Sequence, residues 1–264
     1  MKVSITSHKG YSWLTVGGLL VLWAAAAAWL RLPLLLPSPW QTGVQIAALL
    51  GTAAFWAHLG ATVSRGLLGF GAAFLAGTVF GLQAGRRAWF EALIRPLVVF
   101  ARSTPSMSFI LLALIWFKGD MVPIFVIFLV VFPIIIQNMI EGVRSIDREL
   151  LEMASVYRLT KPRILRALVL PSLAPFLAAA VSAGLGLTWR VLIAAEVLSY
   201  PKWGIGGQMD SARVFLQTDR VFAWTVVVVA IGLSFDSLLG RWLNRILAWR
   251  GTNDDSSMAD RQKL

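Results

Sequence analysis

The stretch Val-Pro-Ile-Phe-Val-Ile-Phe-Leu-Val-Val-Phe-Pro-Ile-Ile-Ile-Gln-Asn-Met-Ile, residues 122–140, has no charged side chain and is long enough to cross a lipid bilayer. It lacks the period-two alternation of a barrel strand, so it is predicted to be a helix. Similar apolar runs occupy residues 11–29, 67–84, 97–117, 173–198 and 221–239. The sequence therefore predicts an all-α polytopic membrane protein with about six transmembrane helices.

Composition supports a membrane protein and argues against other classes. The chain has 264 residues, 58% hydrophobic and 14% charged, and no soluble core of this size could bury its apolar runs. The net charge of +11 is distributed between those runs rather than on one patch with interleaved aromatic residues, so nucleic acid is not an expected partner. There is no cysteine, and His8 and His58 stand apart from carboxylates in the sequence, so no metal site or cofactor is expected on this chain.

The distribution of Lys and Arg predicts the orientation, because basic residues are retained on the cytoplasmic side. Most of the 24 fall in segments that are inside if the N-terminus is inside, so both termini are predicted to be cytoplasmic. Three parts are expected. Residues 1–60 form a first span and an amphipathic segment along the outer surface, residues 61–250 form the core with a cytoplasmic loop at 143–171, and residues 251–264 form a disordered cytoplasmic tail.

The segment between the fourth and fifth runs is too polar to cross the membrane and is patterned like two short helices. Ser145 and Asp147 are candidate N-caps for a first helix, and Thr160 followed by Pro162 predicts the start of a second helix over residues 163–168. Pro171 marks the entry to the next span. A cytoplasmic helical hairpin with an apolar ridge and a basic flank is typical of a partner-binding element, although a rigid connector would give the same pattern.

This segment resembles a signature of the permeases of ATP-binding-cassette (ABC) importers, the inner-membrane components of binding-protein-dependent transport systems. The signature reads Glu-Ala-Ala, three residues, Gly, nine residues, Ile, one residue, Leu-Pro. The chain keeps its spacing with Glu152, Met153, Ala154, Arg158, Leu168, Leu170 and Pro171. Arg158 occupies the glycine position, where a left-handed backbone costs an arginine about 1 kcal/mol or more, so an altered turn or an added charge contact is expected.

Further stretches are similar to the nitrate, sulfonate and taurine branch of that class. They are Arg-Ser-Thr-Pro at 102–105, Ala-Ala-Glu at 194–196 and Trp-Gly-Ile-Gly-Gly at 203–207. The resemblance implies a type I importer permease fold and a subunit that forms the translocation pathway but is not itself an enzyme. It also implies an ATPase dimer that uses ATP and Mg, a second permease subunit expected to be an identical copy, and a periplasmic or lipid-anchored solute-binding protein. The residues implied to contact the ATPase are Glu152, Met153, Ala154, Tyr157, Arg158, Leu168 and Pro171.

Ionisable residues within the predicted spans are candidates for the pathway or for a structural ion network, because an isolated charge there costs at least about 2.5 kcal/mol. Arg190 and Glu196 lie about 120° apart on one helix and are not expected to pair, whereas Asp236 is free to meet Arg190. Glu196, near the outer end of its span, is expected to be partly hydrated and either simply exposed or in contact with the solute-binding protein. Arg65 and Arg102, also near span ends, are expected to extend towards the interface.

Gly77, Gly81 and Gly85 recur every four residues and are predicted to form a smooth strip for close helix packing. The chain has no phosphate-binding Gly-x-x-x-x-Gly-Lys-Ser/Thr run, so ATP hydrolysis is assigned to a partner. Two alternatives remain at this point. One keeps the machinery but changes the solute to a vitamin precursor of the pyrimidine or flavin type. The other is a different class of protein, either an ATP-independent secondary transporter or a membrane anchor that tethers an ATPase for signalling.

Overall fold

The computed structural model describes the backbone of residues 7–261 and the side chains of residues 14–241. All regular elements in that part of the chain are helical. They are α1 (Ser7–Leu30), α2 (Pro39–Leu50), α3 (Ala53–Arg86), α4 (Ala88–Ser103), α5 (Ser106–Trp116), α6 (Met121–Arg144), α7 (Arg148–Val156), α8 (Lys161–Ile164), a π-helical segment (Leu165–Val169), α9 (Leu170–Ser199), α10 (Ile205–Val214) and α11 (Thr218–Arg261).

In the part of the chain whose side chains are described, four helical stretches are long and apolar enough to cross a membrane: Ala53–Arg86, Met121–Arg144, Lys161–Ser199 and Thr218–Arg241. A fifth crossing is available if the bent pair α4–α5 counts as one span, and the described part of α1, Leu14–Leu30, is a further apolar stretch. The all-helical membrane fold is therefore confirmed, and the count of six stays a prediction.

The predicted third span, residues 97–117, is not one helix. The chain bends by 102° between α4 and α5. Thr104 is extended, with φ −81° and ψ 127°, and Pro105 follows it. Proline lacks an N–H and disfavours the helical conformation in the residue before it, so the helix ends at Ser103 and restarts at Ser106.

The second span begins earlier than predicted. The segment before this span was expected to lie along the outer surface, but only α2 is a separate short helix, and α3 starts at Ala53. Thr52 caps α3 by accepting a hydrogen bond from the N–H of Phe55. The 34 residues of α3 give a length of about 51 Å, well beyond a hydrocarbon core of about 30 Å.

Helices α3 and α6 are parallel and pack closely along a line of small residues. A Cβ added at Gly69, Gly77, Gly81 and Gly85 would lie, respectively, 2.9 Å from Ile127, 2.8 Å from Ile135, 2.5 Å from Met139 and 2.6 Å from Val143. Both sets advance by four or eight residues in the same direction, so ridges at four-residue spacing face one another. The central core forms where α9 joins this pair, and it includes Ala73, Val131 and Leu192.

Because α3 and α6 run in the same direction, the chain between them must return to the end where α3 began. The bent pair provides this return. Ile94 and Val98 of α4 pack with Ile136 and Ile140 near the end of α6. Residues of α5, including Ile110, pack at the other end with Val122 of α6 and Val191 of α9. We call the end that carries residues 145–169 the loop end, and the end that carries residues 200–204 the α10 end.

The predicted second short helix of the loop is not a separate element. Helix α8 continues through the π-helical segment into α9, so that residues 161–199 form one helix of 39 residues. Pro171 lies inside this continuous helix, directly after the π-helical segment Leu165–Val169, and the chain stays helical through it although proline supplies no N–H to the preceding turn.

The last helix extends into the segment predicted to be disordered. Helix α11 is described as far as Arg261, although its polar residues after Gly251 favour disorder. Adding residues to an existing helix avoids the cost of nucleation, so a polar end can continue a helix that would not form alone.

The glycine line predicts which substitutions the bundle tolerates. We expect Gly81→Ala to lower the free energy of unfolding by about 1–3 kcal/mol, because the new methyl group collides with Met139. Thermal unfolding in detergent measures this change. Gly71→Ala on the same helix is the control: no atom lies within 4 Å of its added Cβ, so it should be neutral or gain up to about 1 kcal/mol of helix propensity. Equal effects of the two substitutions would contradict the packing described above.

Candidate functional site

The loop end presents α7 as a capped helix with exposed apolar side chains. Asp147 accepts a hydrogen bond from the N–H of Glu149 at 2.8 Å, which caps the first turn as predicted. Of the predicted ATPase contacts on this helix and its end, Met153 is 50% exposed and Tyr157 72% exposed. Glu152 and Arg158 are also exposed, whereas Ala154 is buried. Met153, Val156 and Tyr157 together form an exposed apolar ridge on α7.

Helix α7 ends in a Schellman turn with an arginine at the left-handed position. The N–H of Leu159 donates to the carbonyl of Ala154 and the N–H of Arg158 to that of Ser155, both at 3.0 Å. Arg158 has φ +49°. The predicted alteration of the turn is therefore wrong, because the arginine adopts the glycine conformation and the chain bears the strain of its Cβ.

The other two predicted contact residues, Leu168 and Pro171, are half-buried in the continuous helix of residues 161–199. A basic flank adjoins α7, where Arg163 and Arg166 line an open cavity of about 460 Å³ with Thr160 and Pro162. The loop end thus combines an apolar ridge with positive charge, a chemistry suited to a protein groove with acidic residues.

A buried ion network occupies the α10 end. Arg65 of α3 is 4% exposed and donates to the carboxylate of Glu196 on α9 and to the backbone carbonyl of Trp203. It also contacts Asp120, the residue before α6, at 2.8 Å. Glu196 is fully buried, whereas Asp120 is 67% exposed. One guanidinium group therefore joins α3, the start of α6, the end of α9 and the α9–α10 connection.

The same network caps α10. The backbone N–H groups of Gly204, Ile205 and Gly206 donate to His58 Nδ1, Thr62 Oγ1 and Glu196 Oε2, each at 2.9 Å. These are orphan donors at a helix start, and a carboxylate there is stabilised by the helix dipole. Glycine is required at position 206, because an added Cβ would lie 2.5 Å from the Cβ of Glu196.

Two expectations from the sequence are wrong at this network. Arg65 does not extend towards the interface, and Glu196 is not hydrated, because each satisfies the charge of the other in the interior. Thr62, His58 and Asp120 were not identified as part of the site. They lie far from Glu196 in the sequence, and no local pattern links them to it.

Both oxygens of the Glu196 carboxylate accept hydrogen bonds from the protein. Oε1 accepts from Arg65, and Oε2 accepts from Thr62 at 3.0 Å and from Gly206 at 2.9 Å. The carboxylate thus joins α3 and α9 to the first turn of α10.

The other predicted pathway residues lie elsewhere. Arg190 and Asp236 line one cavity of about 420 Å³ between α9 and α11, but no ion pair joins them in the part of the chain whose side chains are described. Arg102 is exposed on α4, where it lines a cavity at the loop end of the bundle. The four residues grouped from the sequence therefore occupy three separate places.

The two carboxylates of the network, Glu196 and Asp120, are expected to differ strongly in how much stability is lost when each is removed. We expect Glu196→Ala to destabilise the protein by about 3–5 kcal/mol, because it leaves Arg65 as an uncompensated buried charge. Asp120→Ala removes a mostly exposed partner of the same arginine and should cost about 0–1 kcal/mol. Thermal unfolding of the purified chain compares the two variants. Similar losses would show that the buried pair is not the node of this end.

Comparisons with known proteins place the chain in a family. A family model described as binding-protein-dependent transport system inner membrane component matches residues 73–248. The chain is similar to the taurine transport system permease protein of Escherichia coli, with 29% identity over 248 residues that cover 90% of each chain. It is 36% identical to an aliphatic sulfonates transport permease protein of Escherichia coli over 233 residues, 87% of this chain and 84% of the relative.

A bicarbonate transport system permease protein of Synechococcus elongatus is 31% identical over 193 residues, 72% of this chain and 68% of the relative. The matched region spans the helices α3 to α11 that build both ends of the bundle, in agreement with the signature in residues 152–171 and the motif at 203–207. This chain belongs to the family of inner-membrane permease subunits of binding-protein-dependent ABC transporters, and it is a multi-pass protein of the bacterial inner membrane and not an enzyme.

Proposed function

We propose that this chain forms the membrane pathway of an ABC importer for a small sulfonate-type anion such as taurine or an alkanesulfonate, with nitrate or bicarbonate as related cargo. The names of three similar permeases support this solute class. Each of these solutes carries a compact oxoanion group. The family resemblance supports two partners, an ATPase that uses ATP and Mg and a solute-binding protein outside the membrane. A second copy of the chain would complete the pathway.

The single observation that carries the coupling proposal is the geometry of α7 and its Schellman turn. The signature spacing from Glu152 to Pro171 is accompanied by an exposed ridge that includes Met153, Val156 and Tyr157. In this proposal the ridge enters a groove of the ATPase, and the basic flank contacts acidic residues around that groove. The residues taken to make the contact are Glu152, Met153, Ala154, Tyr157, Arg158, Leu168 and Pro171.

In this proposal the continuous helix of residues 161–199 links the loop end mechanically to the α10 end. Residues 161–199 begin beside α7 and end at Ser199, three residues beyond Glu196 of the ion network, about 58 Å along the helix axis. A displacement of the loop by closing ATPase subunits would be carried by this helix to the α10 end. There the network would move α10 with α9, because Glu196 bonds the first turn of α10. Nucleotide would thus bias two arrangements of a rigid assembly.

Reconstitution tests the function directly. We expect proteoliposomes with the chain, its cognate ATPase and its solute-binding protein to take up radiolabelled taurine or ethanesulfonate only when ATP is present. Tyr157→Ala should reduce both ATPase co-purification and uptake at least tenfold, because a large exposed side chain of the ridge is lost. Glu152→Ala should also reduce uptake.

Phe215→Ala is the matched control, since Phe215 is 74% exposed and lies at the opposite end of the bundle. It should retain ATPase binding. Uptake by the chain alone without ATP would overturn the importer proposal in favour of a secondary transporter. Equal ATPase binding by Tyr157→Ala and Phe215→Ala would overturn the assignment of α7 as the ATPase contact.

Two substitutions of Arg158 distinguish the effect of its backbone strain on stability from the effect of its charge on ATPase binding. Arg158→Gly should raise the free energy of unfolding by up to about 1 kcal/mol, because glycine adopts positive φ without strain. Arg158→Ala keeps a Cβ at the same φ and should give no such gain. If the guanidinium contacts the ATPase, both variants weaken the complex equally. A gain in stability for alanine equal to that for glycine would contradict the strain.

A further inference from the structure

A basic cavity lies at the loop end, between α4 and α6. It has a volume of about 610 Å³ and is lined by Arg95 and Arg102 of α4 and by Gln137 and Arg144 of α6, together with Glu91. Arg95 and Arg102 are seven residues apart, which is two helical turns, so they lie on one face of α4. The volume falls in the range of small-molecule sites, about 300–1,000 Å³.

The charges that line this cavity are unbalanced. Arg144 pairs with Glu91, and Gln137 donates to Glu141 at 2.9 Å. Among the described side chains, Arg95 and Arg102 have no carboxylate within 4.0 Å. Of the charged groups that line the cavity, Arg144 is thus neutralised by Glu91, whereas the guanidinium groups of Arg95 and Arg102 have no carboxylate partner among the described side chains. Arg65 provides the contrast, because its guanidinium is fully used by Glu196, Asp120 and a backbone carbonyl.

The positive charge of Arg95 and Arg102 lies on a helix whose other faces are largely apolar. Ile94 and Val98 of α4 pack into the bundle. Leu93, Leu97 and Phe100 are large apolar side chains that are exposed on the outside of the bundle. Charges on a helix of this kind need an aqueous cavity or an opposite charge, because a charged side chain is costly to place beside lipid. Two unpaired arginines on one cavity-lining face meet this need together when an anion lies between them.

We propose that this cavity is an oxoanion-binding site in which Arg95 and Arg102 donate forked hydrogen bonds and Gln137 supplies a neutral donor. Planar guanidinium groups match the oxygen pairs of sulfonates, carboxylates and phosphates. The choice of a sulfonate as ligand rests on the proposed function. The site gives the solute a position towards the loop end, about 24 to 35 Å along α6 from Met121, where Gln137 and Arg144 line the cavity. The headgroup of an anionic phospholipid carries the same chemistry and is the other source of ligand.

The test measures binding to the full-length chain in nanodiscs of phosphatidylcholine, with ethanesulfonate as the probe in isothermal titration calorimetry. We expect saturable binding that is at least tenfold weaker in Arg95→Gln and in Arg102→Gln, because each loses a charge-assisted pair of hydrogen bonds. Arg102→Lys keeps the charge but loses the fork, so its affinity should fall between those of Arg102→Gln and the unchanged chain. Arg87→Gln removes an equal charge from the residue that precedes α4 and that does not line the cavity, and it should bind normally.

Nanodiscs that also contain phosphatidylglycerol distinguish the two sources. If that lipid competes with ethanesulfonate, and its own binding falls in the two glutamine variants, the headgroup uses the same site and the proposal stands. Unchanged binding in both glutamine variants, or an equal loss in Arg87→Gln, overturns it. Thermal unfolding of each variant identifies a folding defect, which is not expected because Arg95 and Arg102 are exposed and unpaired.

The experiment also separates this site from the function it rests on. If the site is wrong but the importer proposal is right, ATP-dependent uptake continues in Arg95→Gln and Arg102→Gln at the rate of the unchanged chain. If the importer proposal itself is wrong, the unchanged chain shows no ATP-dependent uptake, whatever its affinity for ethanesulfonate.

Discussion

The close contact between α3 and α6 constrains the rest of the structure. Glycines at positions 69, 77, 81 and 85 let the two backbones approach until a single methyl group would collide. Because the helices meet in the same direction, the chain between them has to cross back, and Pro105 divides that crossing into α4 and α5. The cavity between α4 and α6, where Arg95 and Arg102 have no carboxylate partner among the described side chains, is a product of this bent return.

The far end of the bundle is organised by charge instead of by small residues. Arg65 and Glu196 form a buried pair whose remaining bonds reach Thr62, Asp120 and the first turn of α10. Buried pairs add little net stability compared with apolar packing, but they fix geometry strictly, because every alternative leaves a charge unpaired. Four segments of the chain are therefore held in one arrangement at the end opposite α7.

Local and periodic features were predictable from the sequence, and long-range pairings were not. The apolar runs gave the helical membrane fold, Asp147 gave the start of α7, and the spacing from Glu152 to Pro171 gave the family. The partners of Glu196 were not predicted because Arg65 is 131 residues away in the sequence, and the residues around Arg65 resemble the end of a transmembrane span. The bend at Pro105 was hidden because the apolar residues on either side of the polar segment 102–106 favour a single span, and the continuity of residues 161–199 was hidden because Pro162 and Pro171 favour helix boundaries.

Arg158 has a consequence for how permeases of this kind are found in genomes. The Schellman turn after α7 keeps its hydrogen bonds and its left-handed residue although no glycine is present. What is retained at this position is a backbone dihedral angle, and the amino acid that adopts it can vary at a tolerable energetic cost. A search that demands glycine there would pass over this chain, whereas one that demands the spacing and a left-handed residue would include it.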